Sequence, residues 1–214
     1  MRRHIFIGDI HGCLDEVHDL LAKIGVTDSD RVVSLGDLTR KGPKVAGVID
    51  LWIARGYDAV LGNNDVKLTA RATLVASPRR IKFLRRLPLH LDFPKLGVVA
   101  VHGGVLPNSR SFDASLVPRH AALSLRHIRR DGSGKWSSVP KEKQADSDPF
   151  WADVWDGDRL VVYGHTPRRE PRVHKRALGL DTGCVYGGKL TAAVFAGPER
   201  WTLVSVPARR KYAD

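Results

Sequence analysis

The chain is short of acid, almost without cysteine, and has no long apolar run. Its 23 Asp and Glu face 35 Lys and Arg, a formal charge of +12 at neutral pH. That balance excludes an acidic solvating chain and sets up a positive field that concentrates anions: nucleotides, phosphorylated proteins and RNA. Basic residues are densest in RRIKFLRR (79–86) and RREPRVHKR (168–176); elsewhere the scattered arginines read equally well as a solvated surface. Cys13 and Cys184 are the only cysteines and have no paired spacing, which excludes a disulfide framework and points to a reducing compartment. The opening MRRHIFIGDIHG breaks its apolar stretch at Gly8 and Asp9, too early for a signal peptide or a membrane span. The expectation is a cytoplasmic protein with no membrane partner. Internal repeats and low-complexity tracts are also missing.

What is present is an ordinary globular composition, 43% hydrophobic and 27% charged over 214 residues, enough for one domain with a real core. HIFIG (4–8), RVVSLG (31–36), DAVLG (58–62) and LGVVAVHGG (96–104) are apolar runs ending at glycine, the pattern of buried strands. Between them, residues 14–25 place Leu14, Val17, Leu20, Leu21 and Ile24 at helical spacing, Pro43 opens a helix running to about Arg55, and another helix begins near Val66. Strand and helix therefore alternate, as in a layered α/β core. Residues 107–150 break the rhythm with Ser, Asp and Lys, and read as a polar insertion or lid rather than a second domain. Four runs follow with no helix between them, 160–164, 178–180, 189–195 and 201–206, suggesting an antiparallel or mixed sheet.

Polar residues stand just past these apolar runs: Asp9 and His11 in GDIHG, Asp37 in GDLTRKGP, Asn63 in GNND, His102 in VHGG and His165 in YGHTP. Strand ends of an α/β sheet converge on one crevice, so residues distant in sequence can meet there. Carboxylate, imidazole and amide ligands without thiolates suit hard or borderline divalent ions. Six ligands exceed what one tetrahedral ion takes and fit two, with Asp37 as the shared carboxylate. A single histidine at a strand end is more often a satisfied structural residue, and Gly-Asp and Gly-Asn occur wherever turns do. That explanation serves any one fragment and fails for the whole series.

GDIHG, GDLTRKGP, GNND, HGG and GHT together resemble the signature of the calcineurin-like metallophosphoesterases of the phosphoprotein-phosphatase superfamily. GLDTGCVYGGKLTA (179–192) is similar to the end of its bacterial diadenosine tetraphosphatase (ApaH-like) branch. The resemblance implies a four-layer α/β/β/α sandwich with two mixed sheets. It also implies two divalent metal ions, Mn²⁺ foremost, with Fe, Zn, Co and Mg as alternatives. By the same resemblance Asp9, His11 and Asp37 hold one ion, while Asp37, Asn63, His102 and His165 hold the other. Two such ions, roughly 3.5–4 Å apart, would activate water as hydroxide for in-line attack on phosphorus. Lys41 stands where the family has a phosphate-binding arginine, with Arg40 beside it, and both would stabilise the equatorial oxygens. Arg168 and Arg169, directly after GHTP, are further candidates for binding substrate.

The sequence departs from the family at two places. Asn64 occupies the position of the histidine that protonates the leaving group, and Arg40 that of the aspartate paired with it in protein phosphatases. An amide donates a hydrogen bond but no proton, so general-acid assistance, normally about 10²- to 10⁴-fold, is lost. Either another group replaces it, such as His120 or His127 of the insertion, or the leaving group departs as a stable anion. The latter favours activated monoesters or phosphoanhydrides such as diadenosine tetraphosphate, in the manner of a symmetrical bis(5'-nucleosyl)-tetraphosphatase. The alternatives are a serine/threonine or tyrosine protein phosphatase, capped or 5'-phosphorylated RNA as substrate, and, in another class, a catalytically weak metal- or RNA-binding scaffold. Asn64 itself is a candidate catalytic and substrate-binding residue. Trp136, Trp151 and Trp155 are assigned to packing ahead of base stacking, and Cys184 to packing alone.

Overall fold

A computed structural model describes residues 2–69, 77–108, 111–113, 115 and 117–214. Positions 109, 110, 114 and 116 of the expected insertion lie outside the described residues. The described part forms two five-stranded mixed sheets stacked face to face. In the first, β1 (His4–Ile7), β2 (Arg31–Ser34) and β3 (Asp58–Ala59) run parallel, and β11 (Lys189–Gly197) and β12 (Arg200–Pro207) join antiparallel beside β1. In the second, β5 (Val98–Val101), β8 (Leu160–Tyr163) and β10 (Ala177–Gly179) run parallel, flanked antiparallel by β4 (His90–Phe93) and β9 (Arg172–Val173).

Alternation along each strand sorts side chains into layers. Ile5 and Ile7 of β1 and Leu190, Ala192 and Val194 of β11 face α1 (Leu14–Ile24) and α2 (Val45–Arg55), where Val17, Leu20, Val48 and Trp52 close a buried cluster. Phe6, Val33 and Phe195 point the other way and meet Phe93, Ala100, Val162 and Leu178 of the second sheet. Phe6 sits between Phe93 and Phe195 in two edge-to-face contacts, with centroids 5.2 and 5.3 Å away. The outer face of the second sheet, with Val101, Val161, Tyr163 and Ala177, is covered by α5 (Arg119–Ser124) and α6 (Trp151–Val154) through Ala121, Ala122, Leu125, Phe150 and Trp151. The order is α, β, β, α.

Three expectations shift. The helix after Pro43 starts at Val45, two residues on, because Gly42 and Lys44 first bond back to the His11–Gly12 turn. The helix expected near Val66 is α3 (Asn63–Thr69), so both asparagines lie in its first turn. The 107–150 segment is not polar throughout: beside a small hairpin of β6 (Ile128–Arg130) and β7 (Trp136–Ser138), its buried residues form the fourth layer. The basic run 79–86 is α4 (Pro78–Arg85), with Leu84 buried and Arg80 paired to Asp50. No helix among the described residues is long and apolar enough to cross a membrane.

Phe6→Ala should lower the unfolding free energy by about 3–5 kcal/mol, because a rigid cavity between two sheets refills poorly. Urea unfolding measures it, and a loss below about 1 kcal/mol would refute this account of the inter-sheet core.

Candidate metal centre

Every expected ligand follows the carboxyl end of a parallel strand: Asp9 and His11 after β1, Asp37 after β2, Asn63 after β3, His102 after β5 and His165 after β8. The stacked sheets bring these ends together. Ligand atoms of Asp9, Asp37 and His102 lie within 4.8 Å of one another. His11 Nε2 is 3.5 Å from Asp37 Oδ2 and 3.9 Å from Asp9 Oδ2. Asn63 Oδ1 is 2.9 Å from His102 Nε2 and 3.0 Å from His165 Nδ1. The six side chains form one cluster.

Their surroundings orient them. His11 Nδ1 lies 3.0 Å from the Thr39 carbonyl and His102 Nδ1 2.8 Å from that of Leu35. A carbonyl only accepts, so each ring holds a proton on Nδ1, and in the neutral ring Nε2 presents a lone pair to the crevice. Burial, with His102 and Arg126 nearby, pushes His165 down to about 2, so it is neutral. Its Nε2 is buried with no hydrogen-bond partner among the described residues. Such an atom is costly to leave unmatched.

Asp9 accepts the His165 N–H at 2.9 Å. Burial raises its pKa well above the usual carboxylate value, and the charges of Asp181 and Asp37 add to this. Burial pushes Asp37 upward too, but His102, His11 and Asn64 outweigh it and hold the group low. Asn64 supplies two of these interactions, its N–H to Oδ1 at 2.8 Å and its amide to Oδ2 at 2.6 Å. The amide expected beside a leaving group is thus committed to Asp37.

The backbone is strained where the ligands sit. Among the described residues, five of the six non-glycine positions with positive φ are His11, Asp37, Arg40, Lys41 and His165. Such conformations persist only when the surroundings over-determine them, and they gather at functional sites. Two glycines permit the close approach: a Cβ on Gly62 would stand 2.2 Å from Asp37 Oδ1, and one on Gly164 2.2 Å from Asp9 Oδ1. Asp65 staples the loops, taking the Thr39 N–H on Oδ1 and the Gly62 N–H on Oδ2.

The remaining candidates are more scattered. Lys41 is exposed and its ammonium meets the Tyr186 hydroxyl; Arg40, half-buried, adjoins it. Arg168 and Arg169 stand exposed beyond the buried cluster. His120 is exposed on α5, while His127 packs edge-on against Phe150. Trp151 and Trp155 are buried in the fourth layer, and half-buried Trp136 packs against Arg130. Cys184 is buried beside Cys13, whose hydrogen bond and the surrounding burial push its thiol pKa up.

Three residues at this crevice had no assigned chemistry. Asp181, after β10, is buried, and burial and the charge of Asp37 raise it to about 7 despite its bond from the Gly183 N–H. It lies inside the GLDTGCVYGG string, whose likeness was the signal available. Tyr186 belongs to the same string. Arg126, from the loop before β6, reaches the His165 carbonyl at 3.3 Å and feels the charges of Asp181 and Asp9. Its sequence context offers no signal.

The family model described as calcineurin-like phosphoesterase matches residues 3–197. The chain is 34% identical to the bis(5'-nucleosyl)-tetraphosphatase PrpE (asymmetrical) of Bacillus subtilis, covering 97% of this chain and 96% of that protein. It is 33% identical to the protein of the same name from Anoxybacillus flavithermus, covering 96% and 94%. A crystal structure provisionally assigned as a diadenosine tetraphosphatase superposes with a TM-score of 0.85 at 33% identity, over 97% of this chain and 94% of that one. The relatives are named asymmetrical, whereas the motif resemblance points to the symmetrical kind.

A carboxyl raised from its usual value to about 7 stabilises the fold below that usual value and loses this contribution as pH climbs through 7. In protein stripped of divalent ions, Asp181→Asn should therefore gain thermal stability over the parent as pH rises from 5 to 8. Melting curves across that range test it; a constant or narrowing gap contradicts it.

Proposed function

Because the chain belongs to the calcineurin-like phosphoesterase family, we propose that it is a dinuclear-metal phosphohydrolase that cleaves the phosphoanhydride bridge of dinucleoside polyphosphates such as diadenosine tetraphosphate. The observation that carries the metal reading is the buried, unpartnered Nε2 of His165, whose Nδ1–H donates to Asn63 Oδ1, beside His102 Nε2 and that same amide oxygen, two acceptors 2.9 Å apart that share no proton. Positive charge is what such a set of lone pairs lacks. Asp9, His11 and Asp37 would hold one divalent ion, and Asp37, Asn63, His102 and His165 the other. The donors are oxygen and nitrogen only, which suits Mn²⁺ and also admits Fe, Zn, Co or Mg. Such a pair, when bound, lowers the pKa of water and neutralises phosphoryl charge.

The protein supplies the rest. The Thr39 and Leu35 carbonyls hold His11 and His102 in the tautomer that leaves Nε2 free. Asn64 anchors both oxygens of Asp37, the carboxylate shared by the two half-sites. Lys41 and Arg40 bring cationic charge to the edge of the cluster, and Arg126 adds a guanidinium from the loop before β6. These groups bind the equatorial phosphoryl oxygens, whose charge grows during transfer. With Asn64 on Asp37 and no proton donor assigned to the leaving group, a nucleotide polyphosphate, which departs as a stable anion, suits the site better than a seryl alkoxide. The relatives' names support the same substrate class and off-centre cleavage. A phosphoprotein or RNA partner has no support beyond net charge.

Hydrolysis should stop with chelator and return with Mn²⁺. kcat/KM for diadenosine tetraphosphate should exceed that for a phosphoserine peptide, and AMP and ATP should be the products. A preference for the peptide would overturn the substrate, and two ADP the register. His165→Ala should lower metal content below the parent's and kcat/KM by at least about 100-fold, as metal analysis and steady-state assays read; parental metal content would remove His165 from the ligand set.

A further inference from the structure

A groove of about 720 Å³ opens beside the cluster, with Tyr186, Gly183, Gly188 and Pro167 among its lining and Arg168 and Lys189 along it. Its volume lies within the roughly 300–1,000 Å³ of small-ligand sites. The half-buried Tyr186 ring forms one wall, and its hydroxyl meets the ammonium of Lys41, which lies 4.8 Å from the ring centroid. A Cβ on Gly183 would come within 3.8 Å of Tyr186 Cδ2 and 3.9 Å of Pro167 Cβ. Gly183 takes a φ of 69° and stands between an aromatic and a proline. Charge around the groove is positive: Arg168 and Arg169 stand exposed, while Lys189 is paired with Glu170 at 2.6 Å. An open, largely apolar groove with a ring on one wall and arginines along it matches a nucleobase joined to phosphate.

We propose that this groove seats one nucleoside of the substrate, with its base against Tyr186 and its nearest phosphates directed to Lys41. The proposal rests on the hydrolase reading and names the specificity site within it. Tyr186 and Lys41 are in direct contact, so the groove begins one side chain from the phosphate-binding lysine. A nucleoside held there delivers phosphorus close to its own end of the bridge, which gives off-centre cleavage a physical cause. The GLDTGCVYGG string thereby has a use: Asp181 at the cluster, Gly183 in the floor, Tyr186 in the wall.

The test compares AMP with ribose 5-phosphate as inhibitors of Mn²⁺-dependent p-nitrophenyl phosphate hydrolysis. AMP should bind about ten-fold more tightly in the parent, the scale of one base–aromatic stack. Tyr186→Ala should erase that ratio and raise KM for diadenosine tetraphosphate more than it lowers kcat, while Tyr186→Phe, which keeps the ring, should preserve both. Tyr186→Leu replaces the alanine variant if that fails to fold. Equal affinities for AMP and ribose 5-phosphate, or a ratio untouched by losing the ring, would overturn the subsite. Calorimetric binding of the same two ligands separates the two proposals: AMP preference without turnover leaves the subsite standing and removes the hydrolase, while turnover without preference does the reverse.

Discussion

Two buried carboxylates, Asp9 and Asp37, govern the architecture around them. Charge of one sign in a low-dielectric crevice is tolerated only when donors or cations surround it. The fold supplies backbone N–H groups from His165 and Asn64 and the Asn64 amide, and sets the imidazoles of His11 and His102 within 3.5 and 3.6 Å of Asp37. These donors come from two distant stretches of chain, the turn after β8 and the start of α3, and the ligand loops turn sharply to meet them. The left-handed residues at His11, Asp37 and His165 are the local expression of that demand. The strain is held in place by Asp65 and by the stacked sheets, whose core aligns the strands that feed the loops.

The second sheet and its outer layer contribute more than a lid. The segment between β5 and β8 packs Phe150, Trp151 and Trp155 over the sheet, and the same packing carries Arg126 to the His165 carbonyl. A structural layer and a cationic contact therefore come from one stretch of chain, so changes in that layer are expected to reach the phosphate side of the crevice. On the opposite flank, the Tyr186 loop links the C-terminal hairpin to Lys41. The crevice is walled by elements from both ends of the sequence, which suits a substrate longer than a single phosphoryl group.

Much of this was legible along the chain. Apolar runs of strand length, each ending in glycine and a polar residue, identified β1, β2, β5 and β8 together with the side chains past their ends, because a buried strand leaves a periodic trace and its loop needs glycine to turn. α3 starts at Asn63 rather than near Val66, since its first turn is built from asparagines chosen for the crevice rather than for helix propensity. The insertion's sequence looks polar because its buried residues are interleaved with Ser, Lys and Asp over short elements, too short for periodicity to register.

The order of ligands, their chemistry and the layered α/β character follow from local pattern alone, since alternation and glycine turns act over a few residues. What lay beyond local pattern was which groups meet. Asn64 turning onto Asp37, Arg126 reaching across from the fourth layer, and Tyr186 standing beside Lys41 each join residues at least 27 positions apart. Such contacts depend on how two sheets stack and where loops cross, and only the folded chain decides that, because packing rather than sequence spacing sets the distance between side chains.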